Sequence, residues 1–188
     1  NRGIKVLIGK SLSKLKSKDL SISSSDYLIS KSNLLIAIGG DGTMLNCSRN
    51  YGSRGIPILG INLGNLGFLA DIDPKDITSS LLRVIDGQFT EDKRFFLEGC
   101  VLGNKDKFLA LNEVVVHSGK VAQLIEFNLF IDDKFVYRQK ADGLIISSPT
   151  GSTAYSLSGG GPIVHPNVNT IILLSMLPHT LSTSPLLV

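Results

Sequence analysis

A Gly-Gly-Asp-Gly-Thr motif at residues 39–43 follows directly on the apolar run 34–38, and its composition suits phosphate chemistry. An apolar run that ends in glycines predicts a buried strand followed by a tight turn. Glycines carry no Cβ, so backbone N–H groups can approach a phosphate there, and the following residues predict a helix whose positive end faces the same place. The carboxylate of Asp41 is electrostatically awkward beside a phosphate, which suggests a metal ion or an acceptor hydroxyl as its partner. The alternative is an ordinary turn in which Asp41 caps a helix.

An amide and a carboxylate stand side by side at Asn112 and Glu113, at the head of a β-branched run that ends at His117. Neighbouring strand residues point to opposite faces of a sheet, so both side chains could reach a ligand only at the strand end, where the chain bends. This pair is a candidate ligand-binding element. The alternative is a polar pair at a strand edge.

Residues 142–162 combine an apolar strand with a turn that is dense in glycine, serine and threonine. Pro149 and Gly151 mark the turn, and a helix is predicted to start near Ser152, where hydroxyls and free N–H groups concentrate. Tyr155 adds an aromatic face for a base and a phenol hydroxyl for a hydrogen bond. We interpret this segment as a ligand-binding turn; a capped helix followed by a glycine-rich loop is the alternative.

The composition is that of an ordinary globular chain: 188 residues, 43% hydrophobic and 19% charged, with a net charge of +3. The chain has no apolar run near the roughly 20 residues that span a bilayer, no signal-peptide pattern and no basic cluster. We therefore predict neither a membrane nor a nucleic-acid partner. Cys47 and Cys100 lack metal-binding or disulfide spacing, which favours a reducing, cytoplasmic location.

The organisation of the chain changes near residue 90. Short apolar runs at 4–8, 34–38 and 56–61 predict an α/β domain with a parallel sheet at residues 1–91. Asp73, Pro74 and Gly87 bracket one predicted helix, and the serine- and lysine-rich residues 11–32 are predicted to be a mobile connection. The later residues predict an all-β, sandwich-like domain at 92–188, with strands at 94–102, 108–117, 124–131 and 135–137. The chain lacks an initiator Met and stops inside an apolar run, so both ends are expected to be truncated.

In combination these motifs resemble the bacterial NAD kinase family. The resemblance rests on the Gly-Gly-Asp-Gly-Thr motif, on Gly-x-Asn-x-Gly-x-Leu-Gly-Phe at 60–68, on Asn-Glu-Val-Val-x-His at 112–117 and on most of 142–162. It extends from about residue 34 to the end of the chain, in the order and spacing of the family. The first motif is shared with lipid kinases and phosphofructokinases, whereas the last two are much narrower.

The resemblance implies an ATP-dependent, Mg²⁺-assisted phosphorylation of the adenosine ribose 2′-hydroxyl of NAD to give NADP. Asp41 matches the base, and the β-rich half matches an NAD-binding domain. No protein metal ligands are expected, because substrate phosphates and water supply most ligands of Mg²⁺. The family also implies a homodimer or homotetramer. The positions that match the phosphate loop are Gly39, Gly40, Gly42 and Thr43, and those that match the NAD pocket are Asp41, Gly42, Phe68, Asn112, Glu113, Lys140, Asp142, Thr153, Ala154, Tyr155 and Ser158.

Two departures and two alternatives accompany this interpretation. Lys140 and Ser184 stand where relatives often carry Arg; at position 140 the charge is kept but the bidentate fork is lost. A lipid kinase with the same glycine-rich loop is the enzymatic alternative, and a non-catalytic nucleotide-binding fragment is the other. The three histidines, His117, His165 and His179, are scattered along the chain, so structural roles are predicted for them.

Overall fold

A computed structural model describes residues 3–9, 12, 21–64, 67–70, 72–120, 123–180 and 184–188. The chain divides into an N-terminal unit, Asn1–Glu91, and a C-terminal unit, Asp92–Val188. The first unit is α/β and the second is rich in antiparallel strands, which confirms the predicted fold class.

The N-terminal unit places helices after short parallel strands. Strand β1 pairs with β2, and β3 pairs with β4, both in parallel. Parallel pairing requires a crossover, which helix α2 provides between β3 and β4. The elements are β1 (Leu7–Gly9), β2 (Ser21–Ser23), α1 (Ser25–Lys31), β3 (Leu35–Ile38), α2 (Asp41–Tyr51), β4 (Ile58–Ile61) and α3 (Ile77–Ile85), with 3₁₀ turns at Gly52–Arg54 and Pro74–Asp76.

The core of this unit lies between β3, β4 and α2. Ala37, Met44 and Ala70 are buried together there. A Cβ at Gly60 would lie 2.9 Å from the Ala70 Cα and 2.9 Å from the Met44 sulfur, so only glycine fits between them. This close packing brings the segment around Ala70 against the start of α2, where the glycine-rich motif lies.

The helix predicted at residues 75–86 is confirmed in outline. The Asp73 side chain accepts a hydrogen bond from the Lys75 N–H at 2.9 Å, Pro74 lies in the first turn, and Gly87 has a φ of +75° just past the end. The prediction of a mobile connection was wrong for residues 21–31, which form β2 and α1. Helix α1 starts where the Ser24 hydroxyl accepts from the Tyr27 N–H; residues 11 and 13–20 lie outside the described residues.

The C-terminal unit is built from antiparallel strands, with a four-stranded sheet in the order β12-β11-β10-β7. Hairpins β5-β6 and β8-β9 complete the described strands, and the turn of the second hairpin has positive φ at Asp132 and Asp133, as a tight hairpin requires. The strands are β5 (Leu97–Cys100), β6 (Lys107–Ala110), β7 (Glu113–His117), β8 (Ile125–Ile131), β9 (Lys134–Ala141), β10 (Gly143–Ser147), β11 (Ile172–Met176) and β12 (Leu186–Leu187).

The helix predicted near Ser152 is much shorter than expected. A 3₁₀ turn spans Thr150–Thr153, and helix α4 covers only Tyr155–Ser158. Gly160, which follows the C-cap Gly159, has a φ of +89°, a conformation that ends the helix. In the described parts of both units, no helix is long and apolar enough to cross a membrane.

Candidate functional site

The Asp41 carboxylate is fastened to a segment that lies 27 to 29 residues further along the chain. Its Oδ2 accepts a hydrogen bond from the Phe68 N–H at 2.9 Å. Its Oδ1 accepts from the N–H groups of Leu69 at 3.0 Å and Ala70 at 3.3 Å. Asp41 is the first residue of α2, whose N-cap is Gly40 without any side-chain cap, so the helix-cap alternative is wrong.

Two glycines, Gly39 and Gly67, lie in close contact with side chains of the first turn of α2. A Cβ at Gly67 would lie 2.2 Å from Asp41 Oδ1, and one at Gly39 would lie 2.2 Å from Thr43 Oγ1. At Gly40 and Gly42, by contrast, a Cβ would meet no described atom within 4 Å. Within the turn, Gly39 is thus tightly packed, whereas Gly40 and Gly42 leave the start of α2 open, as a phosphate-binding loop needs.

Phe68 is held by its backbone, and its ring is left free. The residue is 71% exposed although its N–H donates to Asp41. The structure therefore brings Asp41 and Phe68 together, as members of one candidate site should be. The sequence offered no signal for the hydrogen bonds that join them.

In the C-terminal unit, two neighbouring residues each carry a buried acceptor atom without a partner among the described residues: Asn112 Oδ1 and Glu113 Oε2. They lie at the start of β7, where Glu113 pairs in register with Ser147 of β10. Burial raises the pKa of the Glu113 carboxyl, and a hydrogen bond from the Tyr155 N–H partly opposes that rise. Buried acceptors without donors are rare in native proteins, and a bound ligand with hydroxyl groups would supply the missing donors.

The turn after β10 holds the start of β7 in place through hydrogen bonds. The Ser148 N–H donates to the Asn112 carbonyl at 2.8 Å, and the Ser148 hydroxyl donates to the Leu111 carbonyl at 2.5 Å. The Gly151 N–H in turn donates to Ser148 Oγ at 3.2 Å. A Cβ at Gly151 would lie 2.3 Å from the Asn112 carbonyl oxygen, so the turn packs directly on the residue with the unpartnered amide oxygen.

Several hydroxyls of residues 147–153 form hydrogen bonds with backbone groups, although the sequence had suggested them as ligand contacts. Ser147 Oγ donates to the Ser148 carbonyl at 2.9 Å. Ser152 Oγ donates to the Pro149 carbonyl at 2.6 Å and accepts from the Val164 N–H at 3.0 Å. Ser156 Oγ differs, because it is buried and lacks a partner within the described residues. The serine density thus mainly makes the turn rigid.

A cavity of about 450 Å³ opens beside this turn. Gly143 lies between His117 and Met176 in the sheet, and a Cβ there would come within 3.2 Å of His117 and 3.0 Å of the Met176 sulfur. The absence of a side chain at Gly143 thus leaves room for the side chains of both neighbours. Tyr155 is 44% exposed. The lining residues are Val115, His117, Lys120, Gln123, Asp142, Tyr155 and Met176.

The structure gathers only part of the predicted NAD pocket around this cavity. Asp142 and Tyr155 line it, whereas Lys140 is exposed on β9 and Ser158 is exposed at the end of α4. Thr153 and Ala154 are half-buried in the adjoining turn.

Arg94 was missed by the sequence analysis. Its Nη1 donates to Thr150 Oγ1 at 3.3 Å and its Nε to Asp92 at 2.9 Å, so the guanidinium joins the start of the unit to the binding turn. A single arginine 56 positions from its partner leaves no pattern in a sequence.

Comparison with known proteins decides the family. Residues 10–89 match the family model described as ATP-NAD kinase N-terminal domain, and residues 111–188 match the ATP-NAD kinase C-terminal domain. A solved NAD kinase from Archaeoglobus fulgidus, in complex with ATP, is 30% identical with a TM-score of 0.78, over 97% of this chain and 75% of that one. The chain belongs to the NAD kinase family. The recognition made from the motifs is thereby confirmed.

Other NAD kinase relatives agree with this assignment. The NAD kinase of Teredinibacter turnerae is 48% identical over 98% of this chain and 64% of its own length, and that of Photobacterium profundum is 52% identical over 84% and 55%. The structure of yeast NADH kinase complexed with NADH has a TM-score of 0.88 at 31% identity, over 98% of this chain and 60% of that one. The chain thus spans less than two thirds of the length of these three relatives.

Proposed function

We propose that this chain carries out, or forms part of an enzyme that carries out, the ATP-dependent phosphorylation of the adenosine ribose 2′-hydroxyl of NAD. The observation that carries the proposal is the pair of buried, unpartnered acceptors, Asn112 Oδ1 and Glu113 Oε2. A ribose diol offers two hydroxyl donors, which is what two such acceptors need. Family membership and the ATP and NADH in the two solved relatives support the same substrates.

Asp41 is proposed as the group that accepts the 2′-hydroxyl proton. A carboxylate has about four acceptor positions, of which three backbone N–H groups use three, so one remains for a hydroxyl. The hydroxyl oxygen would bond to the γ-phosphorus while the bond from that phosphorus to the bridging oxygen breaks and ADP leaves. In a loose phosphoryl-transfer transition state, positioning contributes most of the rate, and a rigidly held carboxylate suits this task.

The open glycines of the phosphate loop, Gly40 and Gly42, are proposed to approach the substrate phosphates, together with Gly39 and Thr43. No cluster of three or more potential metal ligands occurs in the described part of the chain, so Mg²⁺ would bind together with ATP and neutralise phosphate charge. Lys140, Asp142, Thr153, Ala154, Tyr155, Ser158 and Phe68 remain proposed NAD contacts. A homodimer or homotetramer and a cytoplasmic location are further proposals from the family and from the two free cysteines.

The test is formation of NADP from NAD and ATP, followed with an NADP-specific dehydrogenase. We expect activity with NAD that requires ATP and Mg²⁺, and none with diacylglycerol. Phosphorylation of diacylglycerol without NADP formation would favour the lipid kinase alternative. NAD binding by calorimetry without any NADP formation would favour a non-catalytic nucleotide-binding fragment.

The same assay extends to the reduced dinucleotide, because one solved relative is an NADH kinase with bound NADH. A comparison of kcat/KM for NAD and NADH would show which one this chain prefers.

A further inference from the structure

His117 and Lys120 line the cavity in the C-terminal unit, and the predicted NAD pocket gives neither residue a role. The carboxylate that lines the same cavity belongs to Asp142. A dinucleotide carries two phosphate charges, which a carboxylate repels. A nucleotide bound in this cavity therefore needs a source of positive charge or of hydrogen-bond donors for its phosphates.

The local backbone favours the His117 tautomer that carries its proton on Nε2. The Gly119 N–H donates to His117 Nδ1 at 3.1 Å, so Nδ1 is an acceptor and the ring proton resides on Nε2. The Nε2–H has no partner in the residues that the structure describes. Nδ1 therefore has the structural role that was predicted for this histidine, since it holds the Gly119 backbone, and Nε2 remains available as a donor.

Lys120 lies at the edge of the cavity in a turn that is stabilised by two hydrogen bonds with Ser118. The Ser118 hydroxyl accepts from the Lys120 N–H at 3.2 Å and donates to the Lys120 carbonyl at 3.0 Å. Gly119 between them has a φ of +73°, which glycine adopts without strain. The Lys120 ammonium makes no ion pair or hydrogen bond with any described residue, so its charge is not neutralised within the described part of the unit.

We propose that His117 and Lys120 form a phosphate-recognition corner, in which the Lys120 ammonium and the His117 Nε2–H bind one phosphate of a nucleotide held in this cavity. The inference deepens the proposed function and rests on it, because it names the part of the substrate that this side of the cavity recognises. Lysine binds phosphate as a point charge, and the histidine adds one directed hydrogen bond.

The phosphate comes from one of two sources, the 5′-phosphate of the substrate or the 2′-phosphate of the product. Calorimetry with adenosine, 5′-AMP and 2′-AMP on the parent chain and on Lys120→Gln separates them. We expect adenosine to bind both chains equally and one of the two monophosphates to bind Lys120→Gln about tenfold more weakly. The monophosphate that is affected identifies the source.

Matched variants make the result specific. Lys134→Gln removes the same charge from an exposed site on the β8-β9 hairpin outside the cavity and should leave all three affinities unchanged. Lys120→Arg should restore the affinity for the monophosphate, and His117→Ala should lower it without affecting adenosine.

Each outcome separates the inference from the function on which it rests. If Lys120→Gln weakens adenosine as much as the monophosphates, Lys120 shapes the cavity and the phosphate corner is refuted. Unchanged affinity of Lys120→Gln and His117→Ala for both monophosphates refutes it as well and leaves the proposed function standing. A parent chain that binds neither NAD nor any of the three probes refutes both.

Discussion

Replacement of Asp41 by asparagine separates a catalytic role from a structural one. The sequence alone suggests that Asp41→Asn would be nearly neutral for folding, because the two side chains have almost the same shape. The structure predicts otherwise. Both carboxylate oxygens accept backbone N–H groups, and an asparagine can offer only one acceptor oxygen.

The size of the effect follows from which bond is lost. Ala70 is fully buried, so the asparagine oxygen is expected to keep Leu69 and Ala70 and to turn its amide NH₂ toward the exposed Phe68. One hydrogen bond to a charged acceptor is then lost, which corresponds to about 1.5–3 kcal/mol of unfolding free energy. Loss of the proton acceptor should in addition lower kcat by about 10²- to 10⁴-fold.

Gly67→Ala is a companion variant, because its Cβ would lie 2.2 Å from Asp41 Oδ1 and would displace the carboxylate without removing it. Overpacking of this kind costs about 1–3 kcal/mol. Urea unfolding followed by circular dichroism measures the stability of each variant, and the NADP assay measures kcat. We expect similar losses of stability in the two variants and a fall of kcat in both, because Gly67→Ala misplaces the carboxylate that Asp41→Asn replaces.

Two results would refute this reasoning. If Asp41→Asn unfolds at the same urea concentration as the parent, the three hydrogen bonds do not stabilise the fold. If Asp41→Asn leaves kcat within a few-fold of the parent, the carboxylate is an anchor for residues 68–70, and the proton acceptor lies elsewhere.

Three further predictions concern the C-terminal unit. Gly151→Ala places a Cβ 2.3 Å from the Asn112 carbonyl oxygen, so we expect a loss of stability of about 1–3 kcal/mol and weaker NAD binding by calorimetry. Arg94→Gln removes the contact with Thr150, and we expect a several-fold rise in KM for NAD with kcat nearly unchanged, measured by steady-state kinetics. Glu113→Gln should raise the urea midpoint of the ligand-free chain at pH 7, because burial raises the folded-state pKa of that carboxyl. The penalty on the native carboxylate exists above the folded-state pKa and disappears below the unfolded-state pKa, so the advantage of glutamine should shrink as the pH falls to 4.

The contrary results are equally clear. Unchanged stability and NAD binding in Gly151→Ala would show that the turn does not pack on the strand head. If Arg94→Gln instead lowered kcat several-fold at constant KM, Arg94 would act on the transition state and not on NAD binding. A constant advantage of Glu113→Gln between pH 7 and pH 4 would show that the buried carboxylate is not destabilised.

Local patterns predicted most of the fold. The apolar run before the glycines gave β3 and α2, and Pro74 and Gly87 located the helix that ends at residue 85. Residues 21–31 were missed because their composition, rich in serine, resembles a loop, whereas Leu28 is buried and Ser24 caps a real helix. Tertiary burial of a single leucine and one cap outweighed the average composition.

The site was predictable in its residue types but not in its contacts. Asp41 and the pair Asn112-Glu113 were singled out from chemistry and from family resemblance. The tether from Asp41 to residues 68–70 and the contact of Arg94 with Thr150 join positions 27 or more residues apart, and such contacts leave no periodic trace. For the same reason, the sequence could not predict that the Ser152 hydroxyl forms hydrogen bonds with backbone groups.

The unpartnered acceptors link the stability of this unit to its function. A buried polar group without a partner costs about 1–3 kcal/mol, and the C-terminal unit retains two such groups at the head of β7. The packing of Gly151 and the hydrogen bonds of Ser148 prevent the strand head from relaxing toward water. A ligand that donates to both acceptors therefore removes a penalty already present in the free protein. Because the site is fixed before the ligand arrives, little further ordering opposes binding, and the removed penalty adds to the affinity.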